Sequence, residues 1–180
     1  NISLAKPSDD TLAALGYAHI HPTPRPSGDV VTEGQPEQRD GKWYQTWEVR
    51  NFTPQELAEQ LERTKAQKRN SLDNARDAAF AAGMPYTFGE DEDVVQTRPQ
   101  DQINLMGLAS KAQRQLAAGD DTLMPFRGLS NETRMLTPAA MDAMAMAALV
   151  HIEGVYAQSW ARKDAVDKAE TLEAVDAIRW

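Results

Sequence analysis

The sequence contains no cysteine, few aromatic residues and no long apolar run. Without cysteine there is no disulfide, no thiolate metal site and no cysteine nucleophile. No apolar stretch approaches the roughly 18 residues of a membrane-spanning helix, so we expect no membrane span. Basic residues are also scarce, because 19 lysines and arginines stand against 27 acidic residues and leave a net charge of −8. Phosphate binding requires a basic surface, so we do not expect nucleic acid as a partner.

The common catalytic and cofactor motifs are missing as well. The sequence has no Gly-x-Ser-x-Gly elbow, no Gly-x-x-x-x-Gly-Lys phosphate loop and no His-Glu-x-x-His zinc motif. His19 and His21 could share one face of a strand and hold a metal, but no motif supplies a third ligand. His151 lies beside Ile152 on an apolar helix, where a half-buried core or interface histidine explains it better than a ligand.

The carboxylates give no clear catalytic arrangement. The pairs Asp101/Glu132 and Asp164/Asp167 are conceivable glycosidase acids, but sequence spacing does not bring them together. The densest acidic cluster, residues 89–93, lacks the spacing of a calcium loop, and a solvated hairpin tip explains it better. We therefore predict a chain that is not an enzyme and that has no catalytic, cofactor-binding or metal site.

Residues 1–52 predict an N-terminal docking region with short strands. A turn at residues 40–41 precedes a strand over 42–49 that carries Trp43 and Trp47. Such a small hairpin needs another surface to pack on, so we expect these residues to mediate docking or oligomer contacts. Three prolines that favour exposed, extended chain belong to the same predicted surface: Pro22, Pro24 and Pro26.

Residues 53–83 predict a long connector helix, in which Thr53 and Glu56 form a capping box. Leu57 and Leu61 are its first large apolar residues, and we expect them to take part in docking. Positions 61, 65, 68, 72, 75 and 79 follow heptad spacing, but two of them are lysines. The pattern therefore leaves open a solvent-exposed connector and a self-associating stalk.

Residues 84–180 predict a C-terminal, mainly helical domain. A hairpin at its start is followed by three or four helices, and the fold class is α+β, mostly α. An apolar stripe runs from Met141 to Trp160, so we expect the methionines at 135, 141, 144 and 146 to pack in a core rather than line a groove. Four residues are expected to anchor this domain: Leu136, Tyr156, Trp160 and Trp180.

Three parts of the chain carry a family resemblance: residues 40–57, residues 95–108, and a C-terminal set. That set comprises Asn131, Leu136-Thr-Pro138, Tyr156-Ala-Gln-Ser-Trp160-Ala-Arg-Lys163-Asp and Trp180. Together they resemble a family of uncharacterised C-terminal domains of bacteriophage tail-fibre and tail-assembly proteins.

The resemblance implies a structural component of a phage tail, associated with the fibre or the baseplate. It would be made in the bacterial host cytoplasm, reside in the virion tail, and bind other tail proteins and copies of itself, with a trimer expected. The alternative is a tail-fibre assembly chaperone that is absent from the mature virion. The family offers no catalytic residues to carry over.

Overall fold

The structure is a computed structural model that describes residues 8–180, and it divides into two compact units after Glu59. The first seven residues of the predicted N-terminal region lie outside the described residues. The described chain has five helices and nine short strands, and most of its regular structure is helical. The predicted α+β, mostly α fold class is therefore confirmed. None of the helices in residues 8–180 is both long and apolar enough to cross a membrane.

The first unit consists of one short helix and two small sheets. Helix α1 (Asp9–Ala14) begins at Ser8, whose hydroxyl accepts a hydrogen bond from the backbone N–H of Thr11. One sheet has the order β1-β4-β3, with β1 parallel and β3 antiparallel to β4; the other is the antiparallel pair β2-β5. The strands are β1 (Ile20–His21), β2 (Val30–Glu33), β3 (Glu37–Arg39), β4 (Lys42–Tyr44) and β5 (Trp47–Arg50).

The strand predicted over residues 42–49 is interrupted between β4 and β5. At the break, the carbonyl of Gln45 accepts a hydrogen bond from the hydroxyl of Thr23 at 2.8 Å. The hydroxyl of Thr46 donates to the carbonyl of Gln35 at 2.6 Å. These bonds to the preceding chain replace a continuous ladder, so Trp43 and Trp47 belong to different sheets.

The second unit combines two hairpins with long helices. Hairpin β6-β7 precedes α3, hairpin β8-β9 follows it, and α4 and α5 complete the chain. Their bounds are β6 (Met84–Phe88), β7 (Asp91–Val95), α3 (Pro99–Ala118), β8 (Met124–Arg127), β9 (Thr133–Leu136), α4 (Pro138–Lys168) and α5 (Leu172–Ala177). The main core cluster joins both hairpins to α3 and α4 through Met84, Val95, Leu105, Ala112, Met124, Phe126, Met141, Met144 and Ala148.

Helix α2 (Pro54–Ala82) begins in the first unit and continues through the second. Its start is the predicted capping box, because Thr53 N donates to Glu56 at 2.8 Å and Glu56 N donates to Thr53 Oγ1 at 3.2 Å. Arg50 also binds the Glu56 carboxylate, with each of two nitrogens 2.7 Å from an oxygen. The bonds from Arg50, followed by those from Thr53, lower the pKa of Glu56 to about 2.

The heptad-spaced positions of α2 form its inward face, since all six are buried or half-buried. Leu72 is buried at the centre of this stripe, and farther along α2 Phe80 packs with Ile152 and Val155 of α4 in a second core cluster. The stripe therefore packs within the chain's own second unit.

The two lysines of that stripe bind the ends of other helices. Lys65 is only 8% exposed, and its ammonium donates to the carbonyl of Asp167 in the last turn of α4 at 3.2 Å. Lys68 donates to the carbonyl of Ile178 just after α5 at 3.3 Å. Carbonyls at a helix C-terminus lack partners within the helix and carry partial negative charge. The lysines that weaken the coiled-coil pattern are therefore C-terminal caps for α4 and α5.

Candidate interaction surfaces

The described part of the first unit has strands but no buried core. Among its described side chains, from Ser8 to Glu59, not one is buried, whereas every buried apolar residue of the described chain lies in the second unit. Two- and three-stranded sheets are marginal in water unless one face is covered. The first unit is therefore held together mainly by hydrogen bonds and half-buried contacts, and its apolar surface is open to a partner.

Trp47 and the predicted proline surface come together in this unit. The indole N–H of Trp47 donates to Thr23, at 3.1 Å to the hydroxyl and 3.3 Å to the carbonyl. The guanidinium of Arg25 lies 5.8 Å from the centre of the indole. Through Thr23 and Arg25, the proline segment (residues 22–26) therefore contacts Trp47, which is half-buried. The prolines of that segment keep exposed outer surfaces: Pro22, Pro24 and Pro26.

Trp43 lies on a different and more open surface. It lines a groove of about 280 Å³ together with Tyr17 and both histidines of residues 19–21. The rings of His19 and His21 are 4.7 Å apart, and His21 lies 5.3 Å from the ring of Tyr44. Because Trp43 is 38% and Tyr17 69% exposed, the groove presents aromatic surface to the solvent.

The two leucines predicted for docking differ in exposure. Leu57, in the first turn of α2, is 48% exposed and lies in the first unit. Leu61, in the second unit, is half-buried at the start of the inward stripe. Leu57 is thus available to a partner, whereas the structure places Leu61 on the inward face of its helix.

Helix α4 has a second candidate surface on its outer face. Met146, Val150 and Trp160 are 53%, 60% and 63% exposed, and they lie on the side of the helix opposite its buried residues. The other exposed residues on that side, from 143 to 161, are mostly small: Ala143, Glu153, Gly154, Ala157 and Ala161. A helix that is apolar on all sides is normally covered on all sides, so this outer face is an unpartnered surface.

The methionines expected in the core divide into two groups. Met141 and Met144 are fully buried, whereas Met135 and Met146 are 54% and 53% exposed. The core prediction is therefore wrong for Met135 and Met146. Met146 lies about 140° around the helix from Met141 at 100° per residue, which carries it to the outer face.

The predicted anchors of the C-terminal domain contact it in different ways. Leu136 packs against the main core cluster. Tyr156 packs against Phe80 with ring centres 5.0 Å apart, and Trp160 stacks on Tyr156 at 5.7 Å while remaining largely exposed. Trp180 is 36% exposed and lies under the guanidinium of Arg162 at 5.5 Å.

A buried ion pair joins the two hairpins of the second unit. Asp93, on β7, accepts hydrogen bonds from Arg134 Nη1 at 2.6 Å and from the hydroxyl of Ser130 at 2.7 Å. Its side chain is only 4% exposed, and that of Arg134 is 12% exposed. The Ser130 bond, backbone N–H groups and the charge of Arg134 lower the pKa of Asp93 to about 2. The neighbouring Gly128 leaves room for this carboxylate, because a Cβ there would lie 2.4 Å from Asp93 Oδ2.

This pair corrects the prediction of a solvated acidic tip at residues 89–93. The hairpin turn consists of residues 89 and 90, so Asp91 to Asp93 lie on the strand. Successive strand residues point to opposite faces, and Asp93 points inward to Arg134. The sequence reasoning missed this pair because its members are 41 positions apart.

Two of the carboxylates considered as candidate acids form ion pairs within the chain. Asp101 pairs with Arg98 at 2.7 Å at the start of α3, and Asp167 pairs with Arg69. His151 is half-buried on α4 as predicted. In residues 8–180, no group of three or more histidine, aspartate or glutamate side chains is arranged to hold a metal ion.

The family model for a domain of unknown function (DUF4376) matches residues 63–179. The chain belongs to the DUF4376 family. No curated protein and no solved structure matches the chain in the corresponding searches. The DUF4376 match begins inside α2 and extends past α5, so it contains the buried ion pair and the outer face of α4. The first unit precedes the DUF4376 match, so its exposed aromatic groove lies outside the residues that the family model matches.

Proposed function

We propose that this chain is a non-catalytic structural component of a bacteriophage tail, associated with the fibre or the baseplate. The DUF4376 domain would be its self-folding part, and the first unit would dock on another tail protein. The proposal combines the family resemblance of residues 40–180 with the exposed surfaces of the first unit.

We infer the docking role from the absence of buried side chains among the described residues from Ser8 to Glu59. Ordering a backbone costs about 1–2 kcal/mol per residue, and burial of apolar surface is the main compensation. The first unit obtains little of that compensation from its own side chains. A tail protein that covers Tyr17 and Trp43 would supply it, because large aromatic side chains bury the most apolar area per residue.

The carboxylates also support a non-catalytic role. A general acid that works near neutral pH needs a raised pKa. Four carboxylates have a lowered pKa, which is the opposite of what a general acid needs: Glu56, Asp73, Asp93 and Asp120. Each of these groups is held as a carboxylate by donors within the chain. Release of reducing ends or muropeptides by the purified chain would contradict this part of the proposal.

The location is tested by mass spectrometry of purified phage particles. We expect peptides of this chain at a fixed copy number relative to known tail proteins. Presence in infected cells but not in finished particles would instead support the assembly chaperone. In a complementation experiment, the double variant Tyr17→Ser/Trp43→Ser should be lost from particles. The control Leu129→Ser, which changes an apolar residue of the second unit that is 57% exposed, should be incorporated normally.

A further inference from the structure

We propose that the outer face of α4 binds the same face of a second copy of this chain, with the two helices antiparallel. The face comprises Ala143, Met146, Val150, Glu153, Gly154, Ala157, Trp160 and Ala161, all exposed. The pairing lies entirely in the second unit and does not depend on the partner of the first unit or on a role in a phage.

The spacing along α4 suits a helix as the occupant. Exposed residues 143, 146, 150, 153, 157 and 160 alternate steps of three and four, which keeps a seam on one side of a helix over many turns. The chain also contains a comparison helix of similar length. Half of the exposed residues of α2 are charged or amide side chains, such as Glu59, Glu62 and Arg63, and Leu57 is its one large apolar residue that is exposed. Of these two helices, α4 offers another helix the longer apolar seam.

The sizes of the side chains favour an antiparallel pair of identical faces. The larger residues Met146 and Val150 lie before Gly154, and the small residues Ala157 and Ala161 lie after it. With a two-fold axis between residues 153 and 154, Val150 faces Ala157 of the second copy and Met146 faces Ala161. Large side chains then meet small ones, which is how helix layers interlock. A parallel pair would place small residues on small ones and leave gaps.

Trp160 fits the same arrangement. In the antiparallel register it lies over the alanines at 143 and 147 of the second copy. The structure leaves this indole 63% exposed although it already stacks on Tyr156. A tryptophan whose orientation is fixed by one neighbour and whose other face is open is well suited to an interface.

Charge repulsion between two copies is expected to be weaker at this face than at the acidic faces of the chain. Each copy carries a net charge of −8, so two copies repel through their acidic surfaces. The seam from Ala143 to Ala161 holds one charged residue, Glu153. The two copies of Glu153 would lie near the two-fold axis, where their like charges weaken the pair.

The size of the seam sets the expected strength. The seam from Ala143 to Ala161 is about 28 Å long, and a strip about 10 Å wide offers on the order of 280 Å² per copy. Stable complexes commonly bury about 800 Å² per partner. We therefore expect a dimer that dissociates on dilution, not a permanent one.

Sedimentation equilibrium of the full chain over a wide concentration range tests the association. We expect a monomer–dimer equilibrium in which Val150→Glu weakens association at least tenfold. Glu153→Gln should strengthen association and reduce its dependence on salt. The control Ile103→Glu, on an apolar residue of α3 that is 63% exposed, should leave it unchanged. A monomer at every concentration, a trimer, or equal loss with the control would overturn the proposal.

Cysteine cross-linking tests the relative orientation of the two helices. The chain has no cysteine of its own, so every disulfide formed involves an introduced cysteine. Gly154→Cys lies near the axis, has open space around its Cβ, and should form a disulfide-linked dimer on mild oxidation. Met146→Cys alone should not cross-link, but a mixture of Met146→Cys and Ala161→Cys chains should. Circular dichroism confirms that each variant is folded. Equal cross-linking of every single variant would indicate parallel helices and overturn the antiparallel pair.

Discussion

The two units of this chain have similar kinds of local structure and very different interiors. The first unit has caps, turns and paired strands, yet none of its described side chains is buried. The second unit has only two short hairpins, but it contains two core clusters, and a buried ion pair joins its hairpins. Both units have regular local hydrogen bonding, but among the described residues the buried core lies in the second unit. The difference predicts that stability resides in the second unit, and it supports the proposal that the first unit is completed by binding.

The largest expected difference between the units is in hydrogen exchange. Amides in the core of the second unit should exchange about 1000-fold or more slowly than those of β1 to β5, which is equivalent to about 4 kcal/mol of opening free energy. The reason is that opening the second unit exposes a core, whereas opening the first exposes little additional apolar area. Mass-spectrometric exchange of the isolated chain measures this. Equal protection in both units would show that the first unit is stable alone and would remove the argument for docking.

The next largest effect should come from the buried ion pair. Asp93→Asn leaves the mostly buried Arg134 with the exposed carboxylate of Glu132, 3.6 Å away, as its remaining counter-charge. Removing one partner of a buried pair commonly costs about 3–5 kcal/mol. Asp91→Asn is the matched control, because Asp91 is exposed two positions earlier on the same strand; it should cost under about 0.5 kcal/mol. Urea unfolding of both variants checks the difference. Similar midpoints would mean that the Asp93–Arg134 pair contributes little to the second unit.

Methionine truncation separates the core from the outer surface of one helix. Met141→Ala removes a fully buried side chain and should destabilise the second unit by about 2–5 kcal/mol. Met146→Ala changes the same residue type on the outer face and should cost under about 0.5 kcal/mol in the monomer. Thermal unfolding at a concentration where the chain is monomeric is the measurement. A large loss for Met146→Ala would place that side chain in a core.

Local features of this fold can be predicted from sequence because their partners are close along the chain. Ser8, Thr53, Thr137 and Thr171 each accept a hydrogen bond from the N–H three positions later. The helix starts at these residues follow from capping chemistry alone. The mostly α class follows for the same reason.

The contacts that distinguish the two units are not local, and sequence spacing does not reveal them. Asp93 on one hairpin pairs with Arg134 on the other. Lys65 donates to a carbonyl in the last turn of α4 that is 102 positions later in the chain. The two faces of α4 are also hard to separate by pattern, because apolar residues occur on both sides of the helix. Periodicity identified the buried stripe from Met141 onward, and only the packing showed that Met146 and Trp160 lie outside it.

Acidification should affect the second unit through Asp93. Its pKa is lowered from 3.8 to about 2 in the folded chain, so its contribution to stability is fully present above about pH 4. The contribution is lost as the pH falls from about 4 to 2, because the unfolded chain takes up the proton first. Urea unfolding between pH 5 and 2.5 measures this loss, and the slope should be smaller in Asp93→Asn. An unchanged slope would assign the acid sensitivity to other carboxylates.

The smallest expected effect concerns the lysine that caps α4. Lys65→Met keeps the apolar stem of the side chain but removes the ammonium from the carbonyl of Asp167, so it should cost about 0.5–1 kcal/mol. Lys111→Met, on an exposed position of α3, is the control and should be nearly neutral. The loss should appear in the unfolding of the second unit and in faster exchange of amides in the last turn of α4, while protection at Met141 stays unchanged. If Lys65→Met raises stability instead, the desolvation of the buried ammonium outweighs its bond to the helix end.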